Sequence, residues 1–385
     1  MPIVVFVLGV AVFAQGTSEF MLSGLLEPVA AATGVSLGAA GLLTSLFAVG
    51  MIVGAPLMAM AAGRWPVRHA LTGFLSLFLA AHVIGALTTT FTVLLLTRVV
   101  AAVANAGFLA VALAALPALV GPHRVGRATS VILSGITLAC IVGVPAGAFL
   151  GQALGWQAAF WAIALVSAPA LAATWPLVRT PVDQVDESDG SIRQEWRTLG
   201  NPRVRAILIL GALVNAATFA AFTYLGALTT GAGASPAWVP VVLALFGIGS
   251  FAGVTLSGRY ADRHAQRIVQ VGTITLLASW STTALLAGSL PGLLVLTTLG
   301  GTLSFAVGST LIGLAVRAAT PTAPRLSGAF ATAALNLGAA AGPALAGLTI
   351  TATGTPTAAL WISAALAATA TTTALLHPKS HTHTH

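Results

Sequence analysis

Two ionisable side chains of opposite sign sit inside long apolar runs of this chain. Glu19 lies in G-V-A-V-F-A-Q-G-T-S-E-F-M-L and Arg98 in L-L-L-T-R-V-V-A-A. Of the eight acids in the chain, only Glu19 is well inside such a run. An ionised group at the centre of a bilayer costs about 2.5–3.5 kcal/mol on insertion scales, and groups that remain there face cavities and mark function. Burial also disfavours the charged form of a carboxylate, so such an acid can load and release a proton. The other reading of Glu19 is an acid that stays protonated and hydrogen-bonded between helices. Arg98 is either the cation that answers Glu19 or a structural tie to backbone carbonyls. Glu27, eight residues after Glu19 and beside Pro28, is either a second protonation site at a cavity mouth or a solvated carboxylate at a helix end.

Asn105, Asn215, Asn336, Thr218, Thr223 and Tyr224 place hydrogen-bonding groups in the fourth, seventh and eleventh spans, and Phe20 and Tyr224 are rings able to flank a flat aromatic substrate. Ligand sites are mostly apolar with a few placed polar groups, and this set fits. Each one alone serves equally well as glue between helices, as does His82. There is no phosphate-binding glycine loop, no metal-ligand cluster and no nucleophile–base pair, so neither an enzyme nor a cofactor is expected.

Lipid must be the solvent that surrounds these groups. The chain has 385 residues, 57% apolar and 6% charged, with a mean hydropathy of +0.97. A soluble domain carries roughly 25% charged residues. The net charge of +8 and pI near 11.4 do not point to nucleic acid, because the basic residues recur in small groups instead of clustering on one element. The single cysteine, Cys140, cannot form an intramolecular disulfide. The apolar N-terminus has no basic residue before it, which reads as a first helix and not as a signal peptide.

Lys and Arg accumulate in cytoplasmic loops, and a spanning helix needs about 20 apolar residues. The basic groups are Arg64/Arg68, Arg124/Arg127, Arg179 to Arg205, Arg259/Arg263/Arg267, Arg317/Arg325 and Lys379. Between neighbouring groups there is room for two spans and a tight turn. Six such hairpins predict twelve helices, with both termini cytoplasmic and every basic residue but Arg98 on that side. The predicted spans are 3–26, 38–62, 70–88, 91–117, 128–150, 158–178, 205–228, 237–257, 268–288, 291–316, 327–350 and 357–376. This divides the chain into an N-terminal six-helix bundle (1–178), a cytoplasmic linker (179–204), a C-terminal six-helix bundle (205–376) and a cytoplasmic tail (377–385). Glu19 and Arg98 are then each about seven residues from the outer end of their spans, roughly 10 Å deep at 1.5 Å per residue.

The two halves repeat each other weakly. A-M-A-A-G-R-W-P-V-R at 59–68 and G-R-Y-A-D-R-H-A-Q-R at 258–267 are offset by 199 residues. The runs around Gly143, Pro145 and Gly147 and around Gly342, Pro343 and Gly347 share nearly the same offset. Repeats of this kind place a binding site at their interface and let the halves rock about it. Proline kinks helices and glycine allows close contact, which suits a bendable seam between halves or ordinary small-residue packing.

These segments carry a resemblance. G-R-Y-A-D-R-H-A-Q-R resembles the cytoplasmic loop signature of the major facilitator superfamily, and Arg98 resembles its helix-four arginine. The Gly/Pro run of the fifth span is similar to that of its drug:proton antiporters. G-T-S-E-F-M-L-S-G-L-L and G-V-P-A-G-A-F-L-G-Q-A-L-G-W-Q-A-A-F-W resemble the arabinose-efflux-like permeases and the actinobacterial chloramphenicol exporters. The resemblance implies an all-α fold of two six-helix pseudo-symmetric halves in a bacterial inner membrane, usually a monomer. It puts the first and fourth helices beside a central cavity, so that Arg98 and Glu19 interact directly or through water. It also implies that Asp262, with Arg263 and Arg267, latches the halves. The equivalent first-half loop has Gly63 where the signature has aspartate, alongside Arg64 and Arg68. The function implied is export of a small drug-like compound, chloramphenicol first, in exchange for protons. Efflux of a sugar or nucleoside is the alternative within the family, and a membrane sensor the alternative outside it.

Overall fold

The computed structural model describes residues 2–62, 65–178, 195–323 and 326–376. Gly63, Arg64, most of the predicted linker and the tail 377–385 lie outside the described residues. Backbone groups in lipid have no water to bond, so a spanning segment must satisfy them internally as a helix. Among the described residues, eleven helices are long and apolar enough to cross a membrane. One of them, Val239–Leu285, has 47 residues. At 1.5 Å per residue it would be about 70 Å long, more than twice a hydrocarbon core of about 30 Å. It breaks at His264, whose φ of −131° and ψ of 21° are not helical. Twelve crossing rods result.

They are α1 (Ile3–Phe20), α2 (Leu42–Ala62), α3 (Val67–Leu87), α4 (Phe91–Ala114), α5 (Val125–Leu154) and α6 (Gln157–Leu177) in the first half. The second half holds α7 (Pro202–Phe222), α8 (239–263), α9 (265–285), α10 (Leu290–Ala319), α11 (Ser327–Thr353) and α12 (Ala358–Leu376). The predicted loop at 258–267 is helical except at His264. Its Arg, Ala and Gln residues are good helix formers and no proline interrupts them, so polarity alone did not end the helix. Among the described residues, one end of the molecule carries the basic connections. The opposite end carries the tight turns, such as those at Gly34, Gly155, Gly233 and Gly354, where φ is positive and glycine is required.

Within α5, Pro145 has no N–H to give and its ring crowds the preceding turn. The helix answers with a π turn at Ala139–Gly143, in which the Val144 N–H reaches back to the Ala139 carbonyl. Gly143 there packs against Thr17 of α1, and Gly342 of α11 packs against Ala216 of α7. Both residues of the second pair stand 199 positions after those of the first, so the sequence repeat is also a packing repeat. These glycines therefore close contacts inside each half. Gly147 likewise faces Met21, just after α1.

The seam between halves uses other glycines. Gly38, just before α2, meets the Gly347 carbonyl of α11, and Gly247 of α8 meets the Cys140 carbonyl of α5. Of the α11 run, Gly347 is the residue that faces the opposite half. Among the described residues, two hydrogen bonds cross the seam: Thr230 Oγ1 donates to Glu27 at 2.9 Å, and Gln152 Nε2 to the Pro236 carbonyl at 2.7 Å. Both lie at the turn end, where the halves are closed on each other.

Candidate functional site

Arg98 projects from α4 into the first half and is 1% exposed. Both ends of its fork go to one residue of α1. Nη1 donates to Ser18 Oγ at 2.7 Å and Nη2 to the Ser18 carbonyl at 2.8 Å. The Phe47 ring of α2 lies 4.3 Å beneath the guanidinium. Arg98 Nε has no partner among the described residues. His82 of α3 completes the group, with Nε2 2.7 Å from Ser18 Oγ and Nδ1 2.7 Å from the Phe78 carbonyl.

Glu19 follows Ser18, turned about 100° round the helix. It is partly buried and makes no hydrogen bond or ion pair among the described residues. Its charge is nonetheless within electrostatic reach of Arg98 and of Cys140 on α5. Among the described residues Arg98 and Glu19 make no direct contact; the hydrogen bonds of Arg98 go to α1 at the preceding residue, one of them to a backbone carbonyl, as expected of a structural tie.

Phe20, next in the chain, joins a cluster of rings that spans the two halves. Its ring centroid is 5.8 Å from Phe219 and 6.1 Å from Phe222 of α7. Phe222 continues to Phe246 at 4.7 Å, and Phe246 to Phe305 at 6.2 Å. Phe219 was not among the sequence candidates, yet it stands 199 residues after Phe20, the offset of the repeat. Nor was Gln15, one turn before Glu19 on α1. Gln15 is 1% exposed and neither of its amide atoms has a partner among the described residues.

The other candidates divide. Tyr224 is fully enclosed at the seam, against Gly41 and Gly347, and donates to the Pro343 carbonyl at 3.0 Å. With no open face, its ring cannot flank a substrate in this conformation. Asn215 ties α7 to α11 through the Leu335 carbonyl at 2.6 Å, and Asn336 bonds within its own helix to Thr332. Asn105 is buried on α4, two turns from Arg98, and makes no hydrogen bond among the described residues. At the basic end, Asp262 meets Arg317 at 3.3 Å, an exposed pair inside the second half. Such a pair contributes little, and in this conformation it does not bridge the halves. Arg263 and Arg267 are exposed, and Arg68 lies over the Trp175 ring at 4.1 Å within the first half.

Glu27 is the acid that crosses the seam. A hydrogen bond to a charged group is worth about 1.5–3 kcal/mol, and partial exposure favours the low end. Removing it with Thr230→Val is therefore expected to open the turn end about tenfold more often. A cysteine at Ala232, in a background with Cys140 replaced, would report this as faster labelling by an impermeant maleimide. An unchanged labelling rate would show that the contact does not hold the end closed.

Comparison with known proteins gives one family. The family model described as Major Facilitator Superfamily matches residues 8–322. A chloramphenicol resistance protein of Streptomyces lividans is 49% identical over 96% of this chain and 94% of its own length. The inner membrane transport protein YdhP of Escherichia coli K12 is 30% identical over 90% of this chain and 88% of its own. Among solved structures, a bacterial homologue of the human lysosomal transporter Spinster, in an inward-facing and occupied conformation, superposes with a TM-score of 0.79 at 16% identity. That match covers 97% of this chain and 96% of the other.

Proposed function

This chain belongs to the Major Facilitator Superfamily and is a multi-pass membrane transporter, not an enzyme, and we propose that it exports a small drug-like compound in exchange for protons. The observation that carries this reading is Glu19: a carboxylate inside a span, without a direct partner among the described residues, next to the Ser18 that holds Arg98 and adjacent to rings shared by both halves. A proton carrier must be able to gain and lose its proton. A carboxylate locked in a two-point pair with arginine would not do so readily, whereas Glu19 is not so locked.

The working cycle follows from the placement of these groups. With the basic end in the cytoplasm, as the positive-inside rule requires, the closed turn end leaves the site facing inward. A flat aromatic compound settles on the Phe20–Phe219 rings, beside Glu19. Its hydroxyl or amide groups donate to the ionised carboxylate, so drug and proton compete for one acceptor. The seam then opens at the turn end, where a proton from outside takes the acceptor and the drug leaves. The protonated form returns inward and releases its proton. One charge moved through 100 mV is worth about 2.3 kcal/mol, which supports a drug gradient of more than about tenfold.

Chloramphenicol suits the site chemically, having one aromatic ring, two hydroxyls and an amide, and the Streptomyces relative bears its name. Expression in a drug-sensitive host is expected to raise the inhibitory concentration of chloramphenicol at least about fourfold, with accumulation restored by an uncoupler. Resistance that persists at full strength under an uncoupler would rule out proton drive. No change across an antibiotic panel would rule out drug export.

A further inference from the structure

The Ser18 hydroxyl has one proton and stands between two nitrogens. It accepts from Arg98 Nη1 at 2.7 Å. The Phe78 carbonyl can only accept, so a neutral His82 ring carries its proton on Nδ1 and leaves Nε2 to accept the Ser18 proton, also at 2.7 Å. The result is a directed chain, Arg98 to Ser18 to His82 to the α3 backbone, with each donor used once. Ser18, His82 and Arg98 are 0%, 1% and 1% exposed. The His82 ring is held between Phe78 at 4.2 Å and Phe160 at 5.8 Å. None of this is required merely to bury an arginine, since a backbone carbonyl alone would satisfy one end of its fork.

The chain of bonds decides where the guanidinium cannot go. Arginine and carboxylate ordinarily form a forked two-bond pair. Here both fork tips are spent on Ser18, and the carboxylate of the next residue is left without a direct partner among the described residues. We propose that Ser18 and His82 are positioning residues that hold Arg98 within reach of Glu19 yet keep the two from pairing directly, so that Glu19 goes on exchanging protons in the working pH range. This rests on the reading that Glu19 carries the coupled proton. The titratable groups facing this point are Glu19 from α1, His82 from α3, Arg98 from α4 and Cys140 from α5. From α2 it is met by Phe47 and from α6 by Phe160, neither of them ionisable.

The test is pH-driven chloramphenicol transport in proteoliposomes, measured as a function of pH. Ser18→Ala frees Nη1 for Glu19, and a direct opposite charge favours the ionised carboxylate. The transport profile of Ser18→Ala is expected to move to the acid side by about one pH unit. His82→Leu, which strands the Ser18 proton, moves the same way. His82→Gln, whose side-chain oxygen still accepts from Ser18, keeps the parent profile. Should Ser18→Ala not fold, the two His82 variants decide alone. Folded variants that are slower at every pH with an unmoved profile would overturn the inference, because that is what a purely structural role predicts. Glu19→Gln in the same assay separates the two claims. If it retains pH-driven transport, the reading of Glu19 fails. If it loses it while Ser18→Ala and His82→Leu keep the parent profile, only the positioning claim fails.

Discussion

Glu19→Gln is expected to bind drug and exchange it across the membrane while losing all pH-driven export. Glutamine matches glutamate in size and still offers an oxygen to a drug hydroxyl, but it cannot take up or release a proton at any working pH. The drive lost is that of a whole charge, about 2.3 kcal/mol per 100 mV, so a sustained gradient of more than about tenfold falls to unity. Drug-for-drug counterflow needs no net proton and should persist within about threefold of the parent rate, as expected when only the coupled step is removed. The two measurements together distinguish a lost proton carrier from a misfolded protein. Retention of pH-driven accumulation by Glu19→Gln would transfer the role elsewhere, and Glu27 is the remaining acid near the membrane interior of the described chain.

The second large effect is expected at the seam. A Cβ on Gly38 would meet the Gly347 carbonyl and Thr351 Oγ1 across the interface. The carbonyl is helix backbone and cannot turn aside. Overpacking of this kind costs about 1–3 kcal/mol, and it falls on the conformation closed at the turn end. Gly38→Ala should therefore shift the population toward the conformation open at that end by about tenfold to a hundredfold. Export should fall by a similar factor, because the cycle must pass through both states. A cysteine at Ala232 should label faster in Gly38→Ala than in the parent. Gly258→Ala is the control, since a Cβ there meets nothing within 4 Å. Parent-like export and labelling in Gly38→Ala would mean that the halves do not close by this contact.

The number of helices and their division into halves were legible because they follow from two strong terms. Lipid demands about 20 apolar residues per crossing, and basic residues gather at one end. The roles of the glycines were not legible. Small residues allow close approach whether the neighbouring helix belongs to the same half or the other. Gly143 and Gly342 thus carry the same pattern as Gly347 and face different partners. Arg259 to Arg267 read as a loop because they are polar, yet polar helix formers simply carry a helix beyond the membrane.

At the site, the positions of Glu19 and Arg98 were readable from the cost of charge in lipid. Their mode of contact was not, since no spacing rule says that Ser18 takes the fork instead. Tyr224 was read as a ring for substrate, and its burial at the seam depends on Gly41 and Gly347 leaving room for it. Phe219 was within reach of the sequence, because applying the repeat offset to Phe20 lands on it. Gln15 carried a weaker signal, an uncharged amide one turn from Glu19.

In the proposed cycle drug leaves as protons enter, and a lumenal pH reading in proteoliposomes of the purified parent protein, with no ion gradient other than protons, follows both. With the lumen acid and the turn end facing the lumen, chloramphenicol added outside is expected to accumulate in the lumen while the lumen alkalinises. An uncoupler should abolish both signals, and Glu19→Gln should show neither. Chloramphenicol that equilibrates to the same level with and without the pH gradient, leaving lumenal pH unchanged, would contradict the account.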